Sequence, residues 1–203
     1  MNKLWTFGDS FPGGVGIDKY VDGFTKQIAD TIGLIDYNHS VPGSNNSFLI
    51  ELLKSLVHKI NKNDCVLVVL TTPHREDKRF DHIPIFLQHI EEVVKLLDEK
   101  ECYYKITQSL NPIFGYDYSV GDRDYPNFIE WKKKNNTLID IITDNWLGDK
   151  TNIFMDEGQV SWSEWNHTNF RDRFCKMDGK HPSELGHKLI ANKLLEYLGD
   201  FND

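Results

Sequence analysis

One hexapeptide does most to limit what this chain can fold into. Cys65-Val66-Leu67-Val68-Val69-Leu70 is apolar at every position. A strand with one face in water alternates apolar and polar residues, so an unbroken run marks a strand covered on both faces. Further strand signals stand at Lys3–Phe7, Leu34–Tyr37 and Cys102–Thr107, with a weaker one at Asn152–Phe154. Helical spacing lies between them. Val21, Phe24, Ile28 and Ile32 mark a helix over Tyr20–Ile32 that Gly33 closes, and Phe48 to Ile60 carries a broad apolar stripe stopped by Asn61, Asn63 and Asp64. Helices are also predicted over Ile83–Leu97, over Tyr125–Trp146, and from Pro182-Ser183-Glu184 through Leu198. Strands alternating with helices predict an α/β fold with a mostly parallel sheet.

The length of 203 residues suits a single domain over 1–203 that buries a core without disulfides or metal. An apolar fraction of 39% and a charged fraction of 27% exclude a disordered chain. A net charge of -8 argues against nucleic acid as a partner, because phosphate binding needs clustered Lys and Arg. The one dense basic run, Lys132-Lys133-Lys134, reads as the solvated face of a helix. Cys65, Cys102 and Cys175 form no CxxC pair and are odd in number, which suits a reducing compartment, and Cys65 and Cys102 stand beside apolar stretches as small buried hydrophobes do. With no leader-like apolar stretch after Met1 and no span of about 20 apolar residues, a cytoplasmic protein without a membrane partner is expected. Internal repeats are absent, and oligomeric state is not readable from the sequence.

Two short segments carry the chemistry. Gly8-Asp9-Ser10-Phe11-Pro12 follows the first strand directly. A Ser at the carboxyl end of a strand in an open parallel sheet stands where such folds place their ligand sites. Taken alone, Gly-Asp-Ser is also a common turn in which Asp9 and Ser10 cap backbone amides. Asp178-Gly179-Lys180-His181-Pro182 opens the last helix. Across its Gly-containing turn Asp178 can accept the Nδ1 proton of His181, fix the tautomer and leave Nε2 as a base. A Ser hydroxyl is a poor nucleophile without such a base. Helix capping by the same Asp and His is the other reading of this segment.

Together the two segments resemble the SGNH hydrolases, also called GDSL esterases and lipases. Gly8-Asp9-Ser10-Phe11 matches the family's first block, with Phe11 where Leu is common. Asp178-Gly179-Lys180-His181-Pro182 matches the last block, Asp-x-x-His-Pro, followed by Gly186-His187 and an apolar helix. The resemblance spans almost the whole chain. It implies a three-layer α/β/α fold with a flavodoxin-like, mostly parallel sheet of about five strands. It also implies Ser10 as nucleophile, His181 as general acid/base and Asp178 as the carboxylate that orients it.

The family builds an oxyanion hole from the nucleophile's N–H, a Gly N–H in a second block and an Asn side chain in a third. Gly43 of Val41-Pro42-Gly43-Ser44-Asn45 matches the second block. The third departs: where the family has Gly-x-Asn-Asp, this chain has Thr71-Thr72-Pro73-His74-Arg75-Glu76. Asn45 is expected to supply the amide from the preceding loop. Asn46, a Thr hydroxyl and an incomplete hole are the alternatives, and a missing donor typically costs on the order of 100- to 1000-fold in rate.

Arg75 is a candidate contact for a substrate carboxylate or phosphate, although a structural ion pair with a nearby acid is the favoured reading. Trp162 and Trp165 are candidates for stacking on sugar rings, or for closing a loop over the core. Asp178, His181 and His187 fit no common zinc spacing, and His187, about two turns into the last helix, reads as a packing or surface residue. Gly13-Gly14-Val15-Gly16 lacks the context of a dinucleotide fingerprint, so no cofactor or metal is expected. The expected function is hydrolysis of a small acyl ester, such as an O-acetyl group on a glycan, through an ester on Ser10. The rival is a carbohydrate-binding or structural module that keeps the fold but lacks a working oxyanion hole.

Overall fold

The computed structural model describes residues 2–15, 17, 21, 23–71, 82–108 and 184–198. In chain order the elements are β1 (Lys3–Gly8), α1 (Phe24–Thr31), β2 (Ile35–Asn38) and α2 (Asn46–Leu56), which tightens into a 3₁₀ turn over Val57–Lys59. They continue with β3 (Cys65–Leu70), α3 (His82–Asp98), β4 (Tyr103–Gln108) and α4 (Glu184–Leu198). The four strands form one parallel sheet in the order β2-β1-β3-β4. The predicted helix over Tyr125–Trp146 and strand at Asn152–Phe154 lie outside the described residues, as does Cys175.

The apolar run of β3 is explained by its place. All six residues are buried, between β1 and β4 in the sheet and between helices on its two faces. Val66, Val68 and Leu70 pack with Leu49, Ile50 and Leu53 of α2 and Phe86, Ile90, Val93 and Leu97 of α3. Cys65, Leu67 and Val69 face the other way, onto Ile28 and Ala29 of α1 and Ile190, Leu194 and Leu198 of α4. Strand alternation thus divides one hydrophobic run between two cores. The result is a three-layer α/β/α arrangement. Cys65 and Cys102 are free, buried thiols, and burial pushes Cys102 up to about 11 and Cys65 further still.

Three expected elements shift, β4 among them, which runs over Tyr103–Gln108 where Cys102–Thr107 was expected. α1 begins at Phe24 rather than Tyr20, with Gly23 as its N-cap, and Val21 is 58% exposed although it falls at helical spacing with Phe24. The second strand starts one residue later than expected, because Leu34 leaves the strand and packs into the α1/α4 core. At the amino ends of the strands, Asp64 ties the turn before β3 to β1. Its carboxylate accepts from the Lys3 N–H (2.9 Å), the Trp5 indole (3.0 Å) and the Asn61 N–H (3.0 Å). No helix among the described residues is long and apolar enough to cross a membrane.

The winding of the chain sets the site. From β1 it steps to β2 on one side, then crosses back past β1 to β3 and on to β4. The direction reverses between β1 and β3, and the crevice beyond the carboxyl ends of those two strands is where open α/β sheets take their ligands.

Candidate active site

Ser10 stands at that crevice, two residues beyond the end of β1. The strand's exit depends on Gly8, which pairs with Val69 of β3. A Cβ on Gly8 would sit against the Pro12 ring and 2.9 Å from the Val69 carbonyl oxygen. Without a side chain there, the chain turns sharply. The Asp9 carboxylate accepts the Phe11 N–H (3.0 Å), the Asp9 carbonyl accepts the Gly13 N–H (3.1 Å), and the Ser10 carbonyl accepts the Val15 N–H (3.0 Å). Asp9 therefore does the capping expected of a turn. Ser10, 4% exposed, is held in the first turn of this knot. Asn38, at the end of β2, fixes its far side by donating from Nδ2 to the Pro12 carbonyl and to Thr25 Oγ1.

The segment after β2 is tied to the same strand end. His39 N–H donates to the Thr6 carbonyl (2.8 Å) and Val41 N–H to the Gly8 carbonyl (2.9 Å), so the chain keeps pairing with β1 past the end of β2. Ser44 Oγ reaches the Gly8 carbonyl as well (3.3 Å). Between these anchors Gly43 adopts φ +82, a left-handed conformation that glycine accepts without strain. No heavy atom lies within 4 Å of where its Cβ would be, and its N–H meets no acceptor among the described residues. Two residues on, the N-terminus of α2 begins with no acidic residue in its first turn, which leaves its dipole to favour an anion.

The two asparagines divide their work. Asn45 caps α2, its Oδ1 accepting the Phe48 N–H at 2.9 Å, a bond that does not use its amide hydrogens. Asn46 is fully buried and makes a two-way bond to the backbone of Thr71, just past the end of β3. Its Oδ1 accepts the Thr71 N–H (2.8 Å) and its Nδ2 donates to the Thr71 carbonyl (3.0 Å). The sequence offered Asn46 only as a second-choice oxyanion donor, and nothing local marks the bond to a residue 25 positions away. Thr71 itself is buried, and its Oγ1 has no hydrogen-bond partner among the described residues.

Asp178 and His181 lie outside the described residues, as do Arg75, Trp162 and Trp165. The helix that follows Asp178 and His181 is described. His187 is the fourth residue of α4 rather than two turns in, and it is fully buried. Its Nδ1 accepts the Phe24 N–H at 3.3 Å and its ring stacks on Phe24, 5.6 Å between centroids. This joins the start of α4 to the start of α1, on the side of the sheet where Phe11 is buried.

His39 belongs to a different cluster, on the α2/α3 side of the sheet. Its ring stacks on Trp5 at 5.3 Å and on Phe7 at 5.7 Å. Burial, then the charges of Lys59 and Lys3, hold it below the usual histidine range.

A parallel sheet in this order, sandwiched between helix pairs, is the fold that this chain shares with solved structures described as G-D-S-L family and SGNH hydrolase proteins. As sequence, the chain matches no family model and no curated protein. As structure, it is similar to the psychrotrophic esterase EstA from Pseudoalteromonas sp., with a TM-score of 0.67, 13% identity and 100% of both chains covered. It is also similar to a member of the lipolytic protein G-D-S-L family from Veillonella parvula, with a TM-score of 0.62, 16% identity and 97% of each chain covered. A family 3 carbohydrate esterase from Clostridium thermocellum follows at a TM-score of 0.56 and 16% identity, covering 98% of this chain and 96% of that one.

Proposed function

We propose that the chain is a serine ester hydrolase that forms an acyl-enzyme on Ser10. The observation that carries this reading is the position of Ser10, in a tight turn at the switch point of the sheet, beside a loop whose Gly43 N–H meets no acceptor among the described residues. The structural neighbours support it: two of the three are named as esterases and the third as a lipolytic protein, and the EstA structure is one inhibited by monoethylphosphonate.

In this mechanism His181 Nε2 takes the Ser10 proton as Oγ attacks the acyl carbon. The Ser10 N–H, the Gly43 N–H and the Asn45 side chain stabilise the resulting oxyanion. His181 then gives its proton to the leaving alcohol, and the acyl group remains on Ser10. In the second half His181 removes a proton from water, hydroxide adds to the acyl carbon, and Ser10 Oγ leaves with the proton that His181 returns. Asp178 holds the His181 ring in the tautomer that this requires. Only Pro182 and Ser183 separate His181 from α4, whose start is joined to the start of α1 through His187.

The substrate proposed is a small acyl ester, with an O-acetyl group on a glycan first. The likeness to a carbohydrate esterase favours it, as do Trp162 and Trp165 as stacking candidates and Arg75 as a contact for a substrate anion. A fluorophosphonate probe tests the mechanism without a choice of substrate. The expected result is a single adduct, mapped to Ser10, that disappears in Ser10→Ala and in His181→Ala. A folded protein that gives no adduct refutes the reading and favours a non-catalytic carbohydrate-binding module on the same fold.

A further inference from the structure

We infer that Asn46 is a positioning residue for the oxyanion hole: its side-chain clamp on Thr71 sets where the Gly43 loop stands relative to the end of β3. The inference rests on the reading of Ser10 as a nucleophile and extends it to a residue that makes no contact with substrate. Three observations lead to it. First, β1 lies between β2 and β3, so the connection from β2 must pass the end of β1, and therefore the Ser10 turn, to reach β3. Second, that connection is anchored on its near side by Val41 N–H and Ser44 Oγ on the Gly8 carbonyl, and across the crevice by Asn46 on Thr71. Gly43 lies between the Val41 and Ser44 anchors. Third, Asn46 is not the cap of α2, because Asn45 fills that role.

The chemistry of the clamp is specific to an amide. Thr71 presents one donor and one acceptor of its main chain, and Asn46 answers with one acceptor and one donor, as a neighbouring strand would. A carboxylate can accept the Thr71 N–H but turns lone pairs on the Thr71 carbonyl, and a methyl group answers neither. With the clamp lost, the start of α2 is held to the sheet on one side of Ser10 only. A displacement of about 1 Å in groups that position a reaction can cost on the order of 100-fold in rate.

The test compares wild type, Asn46→Ala and Asn46→Asp by the rate of fluorophosphonate labelling at Ser10 and by turnover of 4-nitrophenyl acetate. Asp64→Asn, which breaks a buried polar hub at the opposite end of the strands, is the control for general loss of stability. Labelling is expected to slow by about 100-fold in both Asn46 variants, with a matching fall in kcat rather than a rise in KM for 4-nitrophenyl acetate, while Asp64→Asn labels within about twofold of wild type. The Asn46→Asp deficit should narrow toward acid pH, because a protonated carboxyl recovers the donor to the Thr71 carbonyl. Folded Asn46 variants that label at the wild-type rate, or slow no more than Asp64→Asn does, overturn the inference. If Asn46→Ala does not fold, the isosteric Asn46→Asp decides by its rate and pH profile. A wild-type protein that never labels overturns the reading of Ser10, and the inference with it.

Discussion

Replacing Gly8 by Ala adds one methyl group at the point where β1 ends and the Ser10 turn begins, and it has nowhere to go. The new Cβ would lie 2.9 Å from the Val69 carbonyl oxygen and inside contact distance of the Pro12 ring. Neither neighbour yields easily. Val69 is in a strand paired on both sides, and the Pro12 carbonyl is held to Asn38. Overpacking of this kind costs about 1–3 kcal/mol, or about 2–12 °C in Tm at roughly 2–4 °C per kcal/mol for a chain of this size. Relief must move the turn, so labelling of Ser10 should also fall by about 100-fold. Gly33→Ala supplies the comparison. Gly33 has φ +73 with no atom near its Cβ position, so Ala there meets about 1–2 kcal/mol of backbone strain and no clash, far from the crevice. Urea unfolding and probe labelling of the two variants separate stability from positioning. If Gly8→Ala loses stability like Gly33→Ala but labels at the wild-type rate, the close approach at Gly8 does not position the nucleophile.

Two further predictions concern pH. Burial alone would raise the Asp64 carboxyl, but hydrogen bonds from Asn61, Trp5 and Lys3 more than offset it and hold it below the usual carboxylate range. Its stabilisation is therefore present above the unfolded pKa of about 4 and is lost as pH falls through the lower folded value. Asp64→Asn, which leaves a donor unpaired at about 1–3 kcal/mol each, should be clearly less stable at pH 7 and approach wild type below about pH 4, as urea unfolding across pH will show. His39 is a base held below its unfolded value of about 6.5. The unfolded chain takes up that proton first, so stability is full above about pH 6.5 and declines as pH falls below it. Thermal unfolding of His39→Phe between pH 7.5 and 5 should show a shallower decline than wild type, and an identical slope would refute this account of the aromatic stack.

What could be read in the sequence follows from how each element is buried. β3 was readable to the residue because two faces of helices demand six apolar side chains in a row. β2 was not, because an edge strand leaves Ile35 and Tyr37 partly in water and sends Leu34 into a helix-lined core, which blurs the alternation. The start of α1 was misplaced because Val21 keeps the helical period without being covered. At the site, the Gly-Asp-Ser turn and Gly43 stood out because the backbone geometry there admits few residue types. The partners of Asn46 and His187 could not, since each bond joins positions brought together only by the completed sheet.

The two cores are closed at different times during synthesis. Among the described residues, both helices over the α2/α3 face are in the chain once β4 has been made, but α4, which covers part of the other face, comes about 75 residues later. At ribosomal rates of about 5–20 residues per second that interval is roughly 4–15 s. Throughout it, the surface of Leu67 and Val69 that receives Ile190 and Leu194 has no α4 to cover it. A nascent chain of this fold therefore spends seconds with half a hydrophobic interface waiting for its last helix, and any truncation before residue 184 makes that state permanent.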